Sequence, residues 1–205
     1  MSIKAVAFDY GGVISMPQDG EAMRDMAAIA GIDAALMYRI YWNSRPLYDQ
    51  DLVSGEEYFK NMLADVGVFP DPGAVQRLID RDLASWSRVN PLTEQLMRDL
   101  KAAGFKLGIL SNMIRPFVDH IRESLPVLGL PDEAVYSCDV DAVKPEEKIY
   151  RILLSRLDCG PEEVVFFDDA EANVEAARDL GMAAFFWESP GAARKELEIL
   201  GAGRF

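Results

Sequence analysis

Side chains that can do chemistry follow four apolar segments of the 205-residue chain, each near the point where the segment ends. In chain order they are Asp9, Ser111, Asn112, Lys144, Asp168 and Asp169. Three carboxylates, a hydroxyl, an amide and an ammonium suit a divalent cation together with a phosphate group. Hard oxygen ligands favour Mg²⁺, which keeps several waters and takes one or two protein carboxylates. The set therefore predicts a magnesium site that accepts a phosphorylated ligand.

Each of these groups taken alone also has an ordinary structural explanation. A Ser-Asn pair after a strand commonly caps a helix, and a Lys before a helix-starting Pro is usually solvated surface. An Asp pair such as 168–169 can precede a helix because a carboxylate suits the helix dipole. The functional interpretation therefore depends on the order of the groups and on their shared position after successive apolar segments.

The elements that would position these groups alternate between strand and helix. Short apolar runs predict strands at 3–8, 105–110, 134–138, 163–167 and 183–187. Apolar strands joined by helices imply a parallel sheet that is covered on both faces, which is an α/β doubly wound fold. The carboxyl ends of such strands lie on one edge of the sheet, and ligands bind where the strand order reverses. The predicted fold therefore brings distant polar residues together.

Residues 17–88 interrupt this alternation with a pattern that is helical throughout. Ser54 begins a capping-box sequence, and Asp71 precedes a proline that favours the first position of a helix. Asp19 and Asp33 are predicted to cap the two earlier helices. The segment therefore predicts an all-helical insertion directly after the first strand.

Composition excludes several classes of function. The chain has 34 acidic and 21 basic residues, and its net charge of −13 disfavours nucleic acid and anionic membranes as partners. His120 is the single histidine, which makes a Ser-His-Asp or Cys-His hydrolase improbable. Two cysteines are too few for a disulfide framework or a zinc cluster. With no long apolar run and no signal-peptide pattern, we expect a soluble, cytoplasmic protein.

Four motifs in this order resemble the haloacid dehalogenase (HAD) superfamily of aspartate-nucleophile hydrolases. The matching stretches are "AFDYGGVI" (7–14), "ILSN" (109–112), Lys144-Pro145 and "VVFFDDAEAN" (164–173). The resemblance implies a five-stranded sheet in the order 5-4-1-2-3. It also implies a Rossmann-like core formed by 1–16 and 89–205, with 17–88 as an α-helical cap that sets substrate choice.

The same resemblance implies a role for each group that would touch the substrate. Asp9 would be the nucleophile that forms an aspartyl-phosphate, a known role for carboxylates. Ser111 and Asn112 would bind the phosphoryl oxygens, and Lys144 would neutralise their charge.

The resemblance further implies the metal ligands and one missing group. Asp169 would ligate Mg²⁺ directly together with Asp9, and Asp168 would lie beside it or bind through water. Phosphatases of the superfamily usually read Asp-x-Asp, and the second Asp protonates the leaving group. Here that position is Gly11, whose backbone carbonyl can still serve the metal. Gly11 and Gly12 are expected to let backbone approach the metal and substrate closely.

The form of the first motif resembles a subgroup that includes α-glucose-1-phosphatase-like proteins and the N-terminal phosphatase domain of soluble epoxide hydrolase. The resemblance favours a Mg²⁺-dependent phosphatase for a small phosphorylated metabolite. One alternative is a 2-haloacid dehalogenase that uses Asp9 without metal, although Asp168 and Asp169 would repel its carboxylate substrate. Another is a non-catalytic protein that binds a phosphorylated ligand or a partner.

A contribution of the cap to the site is predicted from "YWNSRPLYDQ" (41–50). This stretch is interpreted as a link between two helices that faces the site, with Arg45 binding the substrate. The alternative is that Trp42 and Tyr48 pack between cap helices.

Overall fold

The computed structural model describes residues 2–18 and 20–202, so that the predicted cap Asp19 lies outside the described residues. Its strands are β1 (Ala5–Phe8), β2 (Lys106–Ser111), β3 (Glu133–Tyr136), β4 (Val164–Asp168) and β5 (Ala183–Phe186). All neighbouring pairs are parallel, and the order across the sheet is β3-β2-β1-β4-β5. The predicted fold class and the order 5-4-1-2-3 are confirmed.

Strand β1 lies at the centre of the sheet, and its neighbours bring the polar residues to one edge. Phe8 is in register with Ile109 of β2 and with Phe167 of β4. Every residue of β1 and β4 is buried, as their continuous apolar runs require. The chain moves from β1 to β2 and β3 on one side and continues with β4 and β5 on the other. The order therefore reverses between β1 and β4.

Helices cover both faces of the sheet. They are α5 (Pro91–Ala102), α6 (Arg115–Ser124), α7 (Ser137–Val140), α8 (Glu147–Leu157), α9 (Glu171–Asp179) and α10 (Pro190–Ile199). Because side chains alternate along a strand, Val6 and Phe8 face a core shared with α5, α6 and α10. Ala5 and Ala7 face a second core built with α8 and α9.

Four α-helices lie in the described residues between β1 and α5, and none of their residues joins the sheet. They are α1 (Gly20–Ala30), α2 (Ala34–Asp49), α3 (Gly55–Ala64) and α4 (Pro72–Trp86), together called the helical block. Three predicted caps are confirmed, because Asp33, Ser54 and Asp71 each accept a hydrogen bond from the first turn of the helix that follows. The division of the chain into a core domain and a cap domain stays a prediction.

The predicted helix–helix link at 41–50 is wrong, because α2 continues to Asp49. Tyr41 and Tyr48 on this helix are buried, and the Tyr48 ring stacks on Tyr58 of α3 with centroids 4.3 Å apart. This packing holds the segment helical in spite of Pro46, which removes one backbone hydrogen bond from the helix interior. Propensity alone therefore misplaced the end of α2.

The two connections between the sheet and the helical block run side by side. Ser15 and Val89 form an antiparallel bridge. Met16 N–H donates to the Arg88 carbonyl at 2.6 Å, and Asn90 N–H donates to the Ile14 carbonyl at 2.8 Å. Among the helices of the described residues, none has both the length and the apolar character needed to cross a membrane.

Candidate active site

The polar residues of the four motifs converge on a cavity of about 280 Å³ at the carboxyl edge of the sheet. The core supplies Asp9, Ser111, Asn112, Lys144, Asp169 and Asn173 to its wall. The helical block supplies Trp42, Arg45 and Asp49 from α2 and Trp86 from α4. The cavity therefore lies between the sheet edge and the helical block, where the strand order reverses.

Lys144 joins two carboxylates at the base of the site. Its Nζ lies 2.7 Å from Asp9 Oδ1 and 2.5 Å from Asp168 Oδ2, and the side chain is buried. The Asn112 amide fixes the backbone of Lys144, since Oδ1 accepts from its N–H at 2.8 Å and Nδ2 donates to its carbonyl at 2.9 Å. Asn112 therefore positions Lys144 in this structure, while its predicted contact with the phosphoryl group stays a prediction. The buried Ser111 lines the same cavity from the end of β2.

Asp168 and Asp169 differ in their surroundings although they are adjacent. Asp168 is fully buried, pairs with Lys144 through Oδ2, and accepts through Oδ1 from Ala170 N–H at 2.8 Å and Asn173 Nδ2 at 2.9 Å. Asp169 is exposed and lines the cavity. The arrangement favours Asp169 as a direct ligand and Asp168 as the group that orients Lys144. Sequence reasoning missed the role of Asn173, although it ends the fourth motif.

The three carboxylates near Lys144 form a set that can hold a cation. One oxygen from each of Asp9, Asp168 and Asp169 lies within 4.8 Å of the others. If all were ionised, three negative charges would face one ammonium, and a divalent cation would balance the remainder. Such an all-oxygen donor set fits Mg²⁺.

Burial and neighbouring charges shift the pKa values at the site. Burial raises the pKa of Asp9 to about 7, with Lys144 opposing the shift and Asp168 and Asp169 adding to it. Burial lowers the pKa of Lys144, but the attraction of Asp9 and Asp168 outweighs this effect and the pKa is raised. Lys144 therefore stays an ammonium, and a cation near Asp9 would favour the ionised form of that carboxyl group.

The two glycines of the first motif have different structural requirements. Gly12 has a φ of +69°, and a Cβ there would lie 2.6 Å from Asp169 Oδ2. Gly11 has a φ of −66°, and a Cβ there would meet the Trp86 ring at an ordinary 3.6 Å. The expectation that both glycines are needed for close approach is therefore supported by geometry at Gly12 and not at Gly11.

The wall formed by the helical block carries charge and aromatic rings. Arg45 Nε lies 2.5 Å from Asp49 Oδ1, and an Nη of Arg45 lies 3.3 Å from Asp82 Oδ2. The guanidinium also stacks over Tyr41, at 5.0 Å from the ring centroid. Arg45 lines the cavity as expected, but the carboxylates of the block engage it, and its contact with substrate stays a prediction. Trp42 packs edge-to-face on Trp86.

Tyr10, directly after Asp9, makes contacts away from the site and also lines it. Its hydroxyl donates to the Trp86 carbonyl at 3.0 Å, and its ring meets Phe117 edge-to-face at 5.6 Å. The same ring also contributes to the cavity wall. Tyr10 therefore connects the first motif to the last turn of α4.

Comparison with known families agrees with this geometry. The family model described as haloacid dehalogenase-like hydrolase matches residues 3–181. The chain belongs to this family of hydrolases. The match includes every polar residue that the sheet edge brings together, from Asp9 to Asn173.

Individual relatives carry more specific names. Bifunctional epoxide hydrolase 2 of Mus musculus is 27% identical over 223 residues, which cover 100% of this chain and 40% of the relative. The chain thus spans about two fifths of the length of that hydrolase. Phosphatase MT3486 of Mycobacterium tuberculosis is 24% identical over 212 residues, covering 98% of this chain and 97% of the relative. A crystal structure of a dehalogenase superposes with a TM-score of 0.71 at 20% identity, covering 96% of this chain and 97% of that one, which shows a shared fold.

Proposed function

We propose that this HAD hydrolase is a Mg²⁺-dependent phosphatase that cleaves small phosphate monoesters through an aspartyl-phosphate on Asp9. The observation that carries the proposal is the position of the Asp9 carboxylate, which Lys144 holds at 2.7 Å beside Asp168 and Asp169 in an open cavity. The mycobacterial relative, which this chain matches over 97% of its length, is named a phosphatase, and this name supports the same reaction. The net charge of −13 favours a small phosphorylated metabolite over nucleic acid as the partner.

In the proposed reaction the residues of the sheet edge have separate tasks. Asp9 attacks the phosphorus, and Lys144 compensates negative charge as the bond forms. Ser111 and the second amide hydrogen of Asn112 orient the phosphoryl oxygens. Asp168 holds Lys144 in place through the 2.5 Å ion pair.

The proposed metal site uses the Asp9 and Asp169 carboxylates and the Gly11 carbonyl, with Asp168 beside them. When bound there, Mg²⁺ would stabilise charge on the phosphoryl oxygens. The need for glycine at position 12 fits this assignment, because any side chain there would displace the Asp169 carboxylate from its place.

The proposal is tested by hydrolysis of 4-nitrophenyl phosphate. We expect turnover that requires Mg²⁺, is abolished by a chelator and is abolished by Asp9→Asn. The matched control is Asp65→Asn at the exposed end of α3, which should keep wild-type turnover. Chelator-resistant release of chloride from 2-chloropropionate, without phosphatase activity, would instead establish a dehalogenase. Tight phosphate binding with no turnover of any ester would establish a binding protein.

A further inference from the structure

The proposed reaction leaves one proton without a source, because Gly11 stands where an acid would protonate the leaving group. Among the described residues that line the cavity, the carboxylates are Asp9, Asp49 and Asp169. Asp9 is assigned to attack and Asp169 to the metal. Tyr10 is a poor donor because burial raises its pKa strongly and its hydroxyl already donates to the Trp86 carbonyl. Asp49 is the remaining carboxylate of the cavity wall.

We propose that Asp49, at the last position of α2, is the general acid and base of the reaction. This inference rests on the phosphatase function proposed above. It assigns the proton-donor role, which the first motif leaves empty at Gly11, to a residue outside the four motifs. Asp49 lines the same cavity as Asp9 and Lys144 but belongs to the helical block. The proton would therefore come from a carboxylate of the helical block, close enough to Lys144 for the two charges to interact.

The end of α2 is fixed to the core at two points. Ser137 Oγ donates to the Asp49 carbonyl at 3.0 Å, and Arg115 N–H donates to Asp51 Oδ1 at 3.2 Å. The side chain of Asp49 is 27% exposed, so it is held in place and still accessible to a ligand. Its Oδ1 bonds to Arg45, and Oδ2 has no hydrogen-bond partner among the described residues. Oδ2 is therefore the oxygen that can carry the proton.

Burial favours the protonated form of Asp49, and the charges around it act in both directions. Asp49 and Asp82 share the single guanidinium of Arg45, and Asp82 also accepts a hydrogen bond from Tyr41 at 2.6 Å. Burial raises the pKa of Asp49, and Asp82 adds to the shift, although Arg45 and Lys144 oppose it. A phosphate ester in the cavity brings further negative charge and raises the pKa of Asp49 again.

The step balances in both halves of the reaction. In the first half an oxygen of Asp9 bonds to phosphorus and the ester P–O bond breaks. The electron pair stays on the leaving oxygen, which takes the proton from Asp49. In the second half a water oxygen bonds to phosphorus, the bond to Asp9 breaks, and the Asp49 carboxylate takes a proton from the water. One ester and one water give one alcohol and one phosphate, and both carboxyl groups return to their starting states.

The test compares Asp49→Asn with wild type on 4-nitrophenyl, phenyl and benzyl phosphates, which present leaving groups of increasing basicity. Asn keeps an acceptor for Arg45 but carries no transferable proton. We expect kcat/KM for benzyl phosphate to fall about 10²- to 10⁴-fold, and that for 4-nitrophenyl phosphate to change by less than about fivefold. Because kcat/KM reports the first half only, kcat for 4-nitrophenyl phosphate should still fall when water attack limits the rate.

Asp65→Asn is the matched control, since it makes the same change at an exposed carboxylate that does not line the cavity. Any loss it causes should be equal across the three esters. The melting temperatures of both variants verify that they fold. An equal loss across the three esters in Asp49→Asn, or no loss at all, would overturn the assignment while leaving the phosphatase intact. Full activity in Asp9→Asn would instead overturn the proposed function itself.

Discussion

Alanine at Gly12 should damage both the fold and the proposed metal site, for reasons that can be separated. Gly12 has a φ of +69°, a left-handed conformation that costs a residue with a Cβ about 1–2 kcal/mol. The new Cβ would also lie 2.6 Å from Asp169 Oδ2, well inside ordinary contact, so that the carboxylate must retreat. A misplacement of up to about 1 Å at a reacting centre can cost about 100-fold in rate.

Two measurements follow from these magnitudes. For a chain of this size each 1 kcal/mol shifts the melting temperature by about 2–4 °C, so Gly12→Ala should melt about 2–8 °C below wild type. The Mg²⁺ concentration for half-maximal hydrolysis of 4-nitrophenyl phosphate should rise about 10- to 100-fold, because Asp169 is displaced. Thermal unfolding without metal and a Mg²⁺ titration of activity measure the two effects separately.

Gly11→Ala is the matched comparison at the neighbouring residue. Its φ of −66° suits any residue, and the new Cβ makes an ordinary contact of 3.6 Å with Trp86. We expect its melting temperature to equal or exceed that of wild type, since alanine lowers the entropy of the unfolded chain. Its change in Mg²⁺ requirement should be smaller than that of Gly12→Ala. Equal effects at the two positions, or wild-type behaviour of Gly12→Ala, would refute the geometric reasoning.

Three further predictions concern the proton, the base of the site and the docking of α2. Gly11→Asp in the Asp49→Asn background should recover at least about tenfold in kcat/KM for benzyl phosphate, which steady-state kinetics would show, because a second carboxylate replaces the lost acid. In metal-free urea titrations, wild type should lose stability relative to Asp9→Asn as pH rises from about 4 through 7. Burial raises the pKa of Asp9 from 3.8 to about 7, so over this range the folded state must release a proton that the unfolded state has already lost. A difference in stability that does not change with pH would contradict this. Ser137→Ala should lower the free energy of unfolding by about 1–3 kcal/mol in the same titrations, because the buried Met113 N–H loses the Ser137 hydroxyl that accepts from it at 2.8 Å. An unchanged free energy of unfolding would argue against this hydrogen bond.

Most of the fold could be predicted because continuous apolar runs leave few alternatives in a chain that alternates strands and helices. Each of the five predicted strands is confirmed to within a few residues. The helix caps could also be predicted, since Asp33, Ser54 and Asp71 accept hydrogen bonds from backbone groups only a few residues away. The end of α2 could not be predicted from the sequence, because it depends on Tyr48 stacking against Tyr58, a contact between different helices.

The candidate site was predictable only on the side of the sheet. The motif residues follow parallel strands whose carboxyl ends lie on one edge of the sheet, so the predicted strand order already placed these residues close together. Asp49 follows no strand, and its only local signal was its position four residues after Arg45, a spacing typical of surface ion pairs. The use of Asn112 to hold the Lys144 backbone was also hidden, because it depends on two loops that are far apart in sequence.

The bridge between Ser15 and Val89 has a consequence for how this chain can vary. Since the helical block leaves and rejoins the sheet through two adjacent backbones, its length and sequence can change without altering the register of any strand. The proposed nucleophile and metal ligands are thereby inherited separately from the groups that face them. Over evolutionary time, the same sheet edge can acquire a new selectivity or a new proton donor by exchanging one contiguous stretch of sequence.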